Sequence, residues 1–299
     1  MIELAPEIMA HLGSGADTFD RVFALAGDVS RHVEGRQTLR VKIGGQAYFL
    51  KRHHGYGWSF ILRTLLSGHR PVLSALNEVD AVRCLEHAGV STVEVVGFGE
   101  RGRNPATRQS FILMRELTGC QNLEQLCGQW RSQPPAPAFR RALIEAVAAT
   151  TRQMHAVGLN HRDYYLCHLW LKCGSDAAES FRLHVMDLHR AMRHRRVPLW
   201  WLIKDLAGVL FSAWDCGLTK SDCVRFVRAY RDCSTREVFA TERWMWRVVI
   251  WRATQLFRKT HRRIPPVKLQ VPKVVHRSTG DDLEKSNKRD IATSERKAA

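Results

Sequence analysis

Residues 155–168 read HAVGLNHRDYYLCH, and this stretch places a carboxylate, Asp163, in a loop just after a helix stop. A helix is predicted over residues 139–155, because apolar side chains recur there at helical spacing and Gly158 is a natural terminator. The strand-like run FRLHVMD follows and ends in a second carboxylate, Asp187. A solvated turn is the alternative interpretation, so the flanking segments have to decide between a turn and a catalytic loop.

The chain divides into two parts by pattern. Residues 28–51 alternate like strands around a Gly44-Gly45 turn, residues 74–88 have helical spacing, and two more strand-like runs follow. After the breaker-rich stretch SQPPAPA the pattern is mainly helical. We therefore expect an α+β, two-lobed fold with a cleft between the lobes. The predicted parts are a mainly β N-lobe with one helix (1–117), a mainly α C-lobe (118–275) and a disordered polar tail (276–299).

The N-lobe adds two residues to the two aspartates. Lys51 ends the strand AYFLK, and Glu78 lies in the next predicted helix. Each residue alone is more often a surface or turn residue. In this order, however, the four match phosphoryl transfer, in which a strand lysine held by a helix glutamate neutralises nucleotide phosphates. A loop aspartate then orients the acceptor hydroxyl, and a second aspartate holds Mg²⁺.

Composition limits the possible partners and compartments. The 299 residues carry a formal net charge of +17, which favours anionic partners such as phosphates, nucleic acid or a lipid surface. We expect neither a signal peptide nor a membrane-spanning segment, because no basic-then-apolar N-terminus and no apolar run of about 20 residues is present. The eight cysteines form no CxxC pair and are expected to be reduced. A zinc site from Cys167, His168 and Cys173 is a poor alternative because of its spacing.

Six longer strings resemble segments of the bacterial lipopolysaccharide core heptose (I) kinases, a family with a protein-kinase-like fold. They are NHRDYYLCHLWL, VMDLHRA, KDLAGVLFSA, EGRQTLR, GYGWS and VEVVGFGERG. The resemblance implies a cytoplasmic enzyme that uses ATP and Mg²⁺ to phosphorylate heptose I of the lipopolysaccharide inner core. Alternatives are a kinase of a second heptose, of 3-deoxy-manno-octulosonic acid or of a soluble sugar, and a degenerate kinase-fold binding protein. A nucleic-acid binder has no supporting motif.

The resemblance assigns roles by position. Asp163 becomes the catalytic carboxylate, Asp187 a metal ligand, and Lys51 with Glu78 the phosphate-binding pair. The helix residue Asp205 is expected to brace the catalytic loop.

Two departures from the protein-kinase pattern concern the metal and the phosphate loop. His168 stands where protein kinases have a metal-binding asparagine, so it is either a weaker Mg²⁺ ligand or a phosphate contact. The phosphate loop VEGRQT has one glycine, Gly35, with Arg36 beside it to contribute charge. Gly35 and Arg36 are therefore candidates for cofactor binding, and His168 is a candidate for metal binding.

Basic residues alternate with tryptophans near the end of the predicted C-lobe. Residues 243–273 contain nine Lys/Arg, three Trp and no Asp or Glu. This composition suits a membrane interface, although a solvated basic face over buried tryptophans is the alternative. We expect an anionic glycolipid acceptor, a location peripheral to the inner membrane and no nucleic acid, while the sequence does not indicate an oligomeric state.

Overall fold

A computed structural model describes residues 1–33, 35–68, 70–172 and 181–272. The N-terminal part is built on a six-stranded sheet with the strand order β1-β5-β6-β4-β3-β2. Its Gly44-Gly45 hairpin is confirmed, since both glycines have positive φ and the flanking strands pair along their length. The strands are β1 (Ile2–Leu4), β2 (Asp28–Val33), β3 (Arg36–Ile43), β4 (Gln46–His53), β5 (Val95–Arg101) and β6 (Gln109–Arg115).

Four helices accompany this sheet, where the sequence predicted one. They are α1 (Pro6–Leu12), α2 (Thr18–Phe23), α3 (Gly57–Leu66) and α4 (Leu76–His87). The predicted helix is α4, which ends just before Gly89. The first two helices are too short for periodicity to reveal, and the apolar side chains of α3 lie on both its buried and its exposed sides, so they do not form one simple stripe.

The C-terminal part is mainly helical, as predicted. The longest helix near the loop, α6, spans Pro137–Ala156 and buries Leu143, Val147 and Met154 in a core shared with α4. The remaining elements are β7 (Cys120–Asn122), α5 (Leu123–Cys127), β8 (Leu159–Asn160), β9 (Leu169–Lys172), β10 (Leu183–Val185), β11 (Met192–Arg193), α7 (Leu199–Ala213), α8 (Lys220–Arg231), α9 (Thr235–Thr241) and α10 (Arg243–His261).

Hydrogen bonds join the two parts beside the predicted cleft. Asn77 on α4 donates its side-chain amide to the carbonyl oxygens of His189 and Ala191, and Thr92 donates its hydroxyl to the Val185 carbonyl. The α+β, protein-kinase-like fold class is confirmed. The lobe boundary at 117/118 falls between β6 and β7 and stays a prediction, and the predicted tail (276–299) lies outside the described residues.

Candidate active site

Lys51 and Glu78 form the ion pair that the sequence predicted. Lys51 lies on β4 between β3 and β6, and its Nζ is 2.7 Å from Oε1 of Glu78 in the first turn of α4. Both side chains are nearly removed from solvent, with 12% and 2% of their surface exposed. Burial would lower the pKa of Lys51, but the charges of Glu78 and Asp187 outweigh it and raise this pKa. Lys51 therefore stays a cation inside the cleft.

Asp187 shares the same lysine from the other lobe. Its Oδ1 lies 2.9 Å from Nζ of Lys51 and 2.7 Å from Nδ1 of His189, which must donate because a carboxylate oxygen only accepts. Burial would raise the pKa of Asp187, but the His189 hydrogen bond and the Lys51 charge lower it well below its usual range. The left-handed backbone of Asp187 (φ 57°) turns the chain so that the side chain points back toward Lys51.

The loop that carries Asp163 is held by the buried carboxylate of Asp205. Asp205 on α7 accepts the backbone N–H of His161 at 2.7 Å and of Arg162 at 2.8 Å. Arg162 has a φ of 74°, a left-handed conformation that is unfavourable for a side chain with a Cβ. These two hydrogen bonds stabilise that conformation, so the predicted bracing role of Asp205 is confirmed.

The Asp163 side chain faces a cluster of cations. Nη1 of Arg190 lies 3.1 Å from one carboxylate oxygen of Asp163 and 2.9 Å from the other. The guanidinium of Arg162 lies over the Trp201 ring at 5.1 Å, and Nζ of Lys204 lies 5.2 Å from the same ring. The pKa of Lys204 is lowered overall, because burial outweighs the opposing charge of Asp163. Asp163 therefore lies in a positively charged and aromatic environment.

His168 lies between the two aspartates. Its Nδ1 is 2.7 Å from the Asp163 carbonyl oxygen, which can only accept, so Nδ1 carries the proton. In the neutral ring Nε2 then has a free lone pair, and this atom lies 3.8 Å from Oδ2 of Asp187. His161 stacks on His168 at 5.5 Å and fixes the plane of the ring. His168 thus presents a nitrogen lone pair toward Asp187, the carboxylate that was predicted from the sequence to bind a metal ion.

Gly35 and Arg36 lie at the turn between β2 and β3, and β3 pairs with the strand that carries Lys51. Gly35 has a φ of 70°, and a Cβ there would lie 2.6 Å from a ring carbon of Tyr56. Arg36 pairs in register with His53, two residues beyond Lys51 on β4. Burial first, and then the charge of Arg36, lower the pKa of His53 to about 3. The turn therefore carries positive charge beside the cleft.

Sequence reasoning missed four side chains that the structure adds to the site. His189 and Arg190 follow Asp187 directly, and their bonds to the two aspartates depend on the left-handed turn at Asp187. Trp201 and Lys204 precede Asp205 on α7, one helical turn or less away. The sequence feature that could have revealed them is their position, because His189 and Arg190 directly follow the motif residues at Asp187, and Trp201 and Lys204 stand just before Asp205.

The donor set around Asp187 fits a magnesium ion shared with nucleotide phosphates. Lys51 and His189 occupy Oδ1, so Oδ2 is the oxygen left for metal. Mg²⁺ is commonly held by one or two carboxylates together with phosphate and water. Within the described residues, no group of three or more His, Cys, Asp or Glu side chains that could hold a metal ion occurs. The zinc alternative involves Cys173, which lies outside them.

The chain is similar to characterised proteins along most of its length. A family model described as "Lipopolysaccharide kinase (Kdo/WaaP) family" matches residues 20–230. The chain is 43% identical over 257 residues to "Lipopolysaccharide core heptose(I) kinase WaaP" of Pseudomonas aeruginosa, covering 86% of this chain and 96% of the relative. It is 40% identical over 264 residues to the protein of the same name from Escherichia coli K12, covering 88% and 99%.

A solved structure is also similar along nearly its whole length. The structure described as "WaaP in complex with acyl carrier protein" matches with a TM-score of 0.75 and 39% sequence identity. The match covers 86% of this chain and 99% of that one. The likeness therefore extends across both lobes.

Proposed function

The chain belongs to the lipopolysaccharide kinase (Kdo/WaaP) family, and we propose that it transfers the γ-phosphoryl group of ATP to a hydroxyl of heptose I in the lipopolysaccharide inner core. The observation that carries this proposal is the three-residue contact of Lys51 with Glu78 and Asp187. These residues are far apart in sequence, and burying a lysine between two carboxylates carries a desolvation cost that the stability of the fold does not by itself explain. Phosphoryl transfer requires such a cation against the nucleotide phosphates.

The nucleotide side of the site is assigned to both lobes. Lys51 binds the phosphates from the N-lobe while Glu78 fixes its ammonium, and Arg36 adds charge at the β2–β3 turn. Asp187 and His168 would hold Mg²⁺, with Oδ2 and Nε2 as the donor atoms. The ion, when bound, neutralises charge on the phosphate oxygens. Glu78 Oε2 is buried without a hydrogen-bond partner, so the pair has an acceptor left for a bound group.

The acceptor side is assigned to Asp163 and the cations around it. Asp163 orients the sugar hydroxyl and accepts its proton as the bond to phosphorus forms. Arg190 fixes both oxygens of Asp163, which limits the directions in which its lone pairs can point. Arg190 and Lys204 also favour an anionic acceptor over a neutral one, and an inner-core glycolipid meets this requirement.

We place the protein in the cytoplasm, peripheral to the inner membrane, where ATP and a membrane-anchored acceptor meet. Trp244 and Trp251 on α10 are 56% and 57% exposed, and Trp200 on α7 is 51% exposed. The Arg252 guanidinium lies 4.5 Å from the Trp200 ring, so aromatic and basic groups share one C-lobe surface. Within the described residues no helix is both long and apolar enough to cross a bilayer. Exposed tryptophans with arginines suit an interfacial contact.

The proposal is tested by transfer of labelled γ-phosphate to purified core acceptors. The parental protein should label a core that contains heptose I and lacks the phosphate. Asp163→Ala should lower turnover by roughly 10²-fold or more because the hydroxyl loses its proton acceptor. Labelling of Asp163→Ala at the parental rate would contradict the catalytic assignment.

A panel of acceptors separates the remaining alternatives. Cores that end at 3-deoxy-manno-octulosonic acid, at heptose I or at a second heptose should differ in labelling, and heptose I should be the smallest competent acceptor. Labelling of the core without heptose would move the assignment to 3-deoxy-manno-octulosonic acid. An absence of transfer to every acceptor, with ATP still bound, would favour a binding protein with a degenerate kinase fold.

A further inference from the structure

The helix α3 exposes an apolar face to solvent. Its side chains Trp58, Leu62, Leu65 and Leu66 are 53%, 54%, 51% and 88% exposed. At 100° per residue these four positions fall within about 100° of one another, so they form a continuous stripe. Exposed apolar stripes of this kind on a soluble protein usually mark an interaction surface.

The opposite face attaches α3 firmly to the N-lobe. Ile61 is buried, and the ring of Phe60 stacks on Tyr56 at 4.8 Å. The Gly57 N–H donates to the Ala106 carbonyl oxygen at 2.9 Å. The exposed stripe is therefore presented by a fixed helix and not by a loop that could bury it.

The chain segment that contains α3 carries positive formal charge only. Residues 35–77 contain seven Lys/Arg and no Asp or Glu. Arg63 lies beside the stripe on α3, and Arg70 follows the helix; both side chains are exposed. An exposed apolar stripe in a segment whose formal charge is positive suits an anionic surface.

The helix lies next to the catalytic cleft. It begins four residues after β4, which carries Lys51, and Tyr56 contacts the position of Gly35 in the phosphate loop. Whatever α3 contacts is therefore held close to the β2–β3 turn beside the cleft.

We propose that α3 inserts its Trp58–Leu66 stripe into the acyl–headgroup boundary of an anionic membrane leaflet and so places the cleft against a membrane-anchored acceptor. The proposal rests on the proposed function for the acceptor but not for the binding itself. Four side chains on a helix about 15 Å long give far less than the roughly 800 Å² that each partner buries in a stable protein complex. A short amphipathic helix lying in the membrane plane needs no larger area, because lipid surrounds each side chain.

Vesicle co-sedimentation tests the stripe. The vesicles contain phosphatidylethanolamine and phosphatidylglycerol, and neutral phosphatidylcholine vesicles serve as comparison. Leu62→Ser/Leu66→Ser should lower partitioning into the anionic vesicles by about tenfold or more, because two leucines lose their transfer into the acyl region. The control Val29→Ser/Val224→Ser removes two exposed apolar side chains elsewhere and should bind like the parent.

Fluorescence quenching tests the depth of insertion. Phosphatidylglycerol brominated in its acyl chains should quench part of the tryptophan emission of the parent. Trp58→Phe keeps the apolar side chain but removes the emitter, so binding should persist while the quenched fraction falls. An equal quenched fraction in both proteins would contradict insertion of Trp58.

Two outcomes would overturn the proposal, and activity separates them from failure of the proposed function. One is equal vesicle binding by the parent and Leu62→Ser/Leu66→Ser. The other is a parental dimer that becomes monomeric in this variant, which would make the stripe a contact between copies. Turnover on a core oligosaccharide without lipid should be unchanged in the variant, whereas turnover on the same core in vesicles should fall. Failure of the parent to phosphorylate either acceptor would contradict the proposed function and leave the binding result standing.

Discussion

Two independent sets of contacts hold Asp163 in place. Asp205 fixes its backbone by accepting the N–H groups of the two preceding residues, and Arg190 fixes its carboxylate through both oxygens. A carboxylate fixed in this way loses less entropy when a hydroxyl arrives, which is how positioned groups accelerate reactions. Arg190 must keep this contact, or exchange it for one with the acceptor, during turnover.

Replacement of Arg190 separates positioning from folding. We expect Arg190→Ala to lower turnover by about 10- to 100-fold and to raise the acceptor Michaelis constant, because Asp163 loses the guanidinium that contacts both its oxygens and the acceptor loses a cation. Arg190→Lys should recover part of the loss, since an ammonium supplies charge without the planar fork of the guanidinium. Steady-state kinetics with varied acceptor and varied ATP measure both constants.

An unchanged dissociation constant for ATP is the control for this variant. If Arg190→Ala raised the ATP constant as much as the acceptor constant, Arg190 would act on the nucleotide and not on Asp163. If neither constant nor turnover changed, the Asp163 contact would have no role in the reaction.

His168 gives a second residue-scale prediction, on magnesium. We expect His168→Ala to raise the Mg²⁺ concentration needed for half-maximal turnover several-fold, because Asp187 loses the neighbouring donor atom 3.8 Å away. His168→Asn should lie at or below the parental requirement, since it offers the oxygen that Mg²⁺ prefers. Turnover measured against Mg²⁺ at saturating ATP distinguishes the three proteins. Identical curves would assign His168 to holding the Asp163 carbonyl alone.

The main site could be predicted from sequence, but its inner contacts could not. Hydrophobic periodicity and turn residues predict the strands, helix and loop that carry the four motif residues, which are Lys51, Glu78, Asp163 and Asp187. The bonds of His189 and Arg190 require the direction of the chain after Asp187, which depends on one left-handed residue. Aspartate adopts the left-handed conformation more readily than most residues do, but an aspartate in a sequence does not by itself predict that conformation.

Helix α4 connects the lobes at the scale of elements. Its first turn carries Glu78 to Lys51, and its Asn77 binds two carbonyl groups of the segment after Asp187. The first turn of α4 therefore positions both Lys51 and the segment that bears Arg190. Rotation or shift of α4 would change both at once.

Asn77 offers a direct test of this coupling. We expect Asn77→Ala to lower turnover by about tenfold while unfolding free energy falls by only about 1–2 kcal/mol, since two hydrogen bonds to carbonyls are lost at a partly buried site. Asp80→Ala on the exposed side of the same helix is the matched control and should change neither quantity much. Chemical denaturation and steady-state kinetics supply the measurements. A loss of turnover no larger than in the control would argue against coupling through α4.

Length decided which elements sequence could reveal. The helices α4 and α6 have enough turns for a repeating apolar face, and each was predicted, whereas α10 was covered only by the prediction of a mainly helical C-lobe. The helices α1 and α2 have seven and six residues, fewer than two turns, so no period is visible. The helix α3 was not predicted for a different reason, because its apolar side chains face both the protein and the solvent.

At the scale of the whole molecule, the net charge of +17 is accompanied by two exposed surfaces that combine apolar and basic side chains. One is α3 on the N-lobe, and the other is the surface of α10 with Trp200. Basic residues near an anionic leaflet contribute about 1 kcal/mol each and are screened by salt, whereas apolar insertion is not screened. The two surfaces should therefore contribute differently to membrane binding.

Salt titration should separate these contributions. Arg258→Gln/Lys259→Gln/Arg262→Gln/Arg263→Gln at the end of α10 should weaken binding to anionic vesicles mainly at low salt, because screening already suppresses this part at high salt. The effect should be that of about three charges, since Arg263 is already paired with Asp215 at 2.7 Å. Leu62→Ser/Leu66→Ser should weaken binding by a similar factor at low and high salt. ATP binding serves as the control for both variants, and a quadruple variant that binds like the parent at low salt would leave the α10 end a solvated basic face.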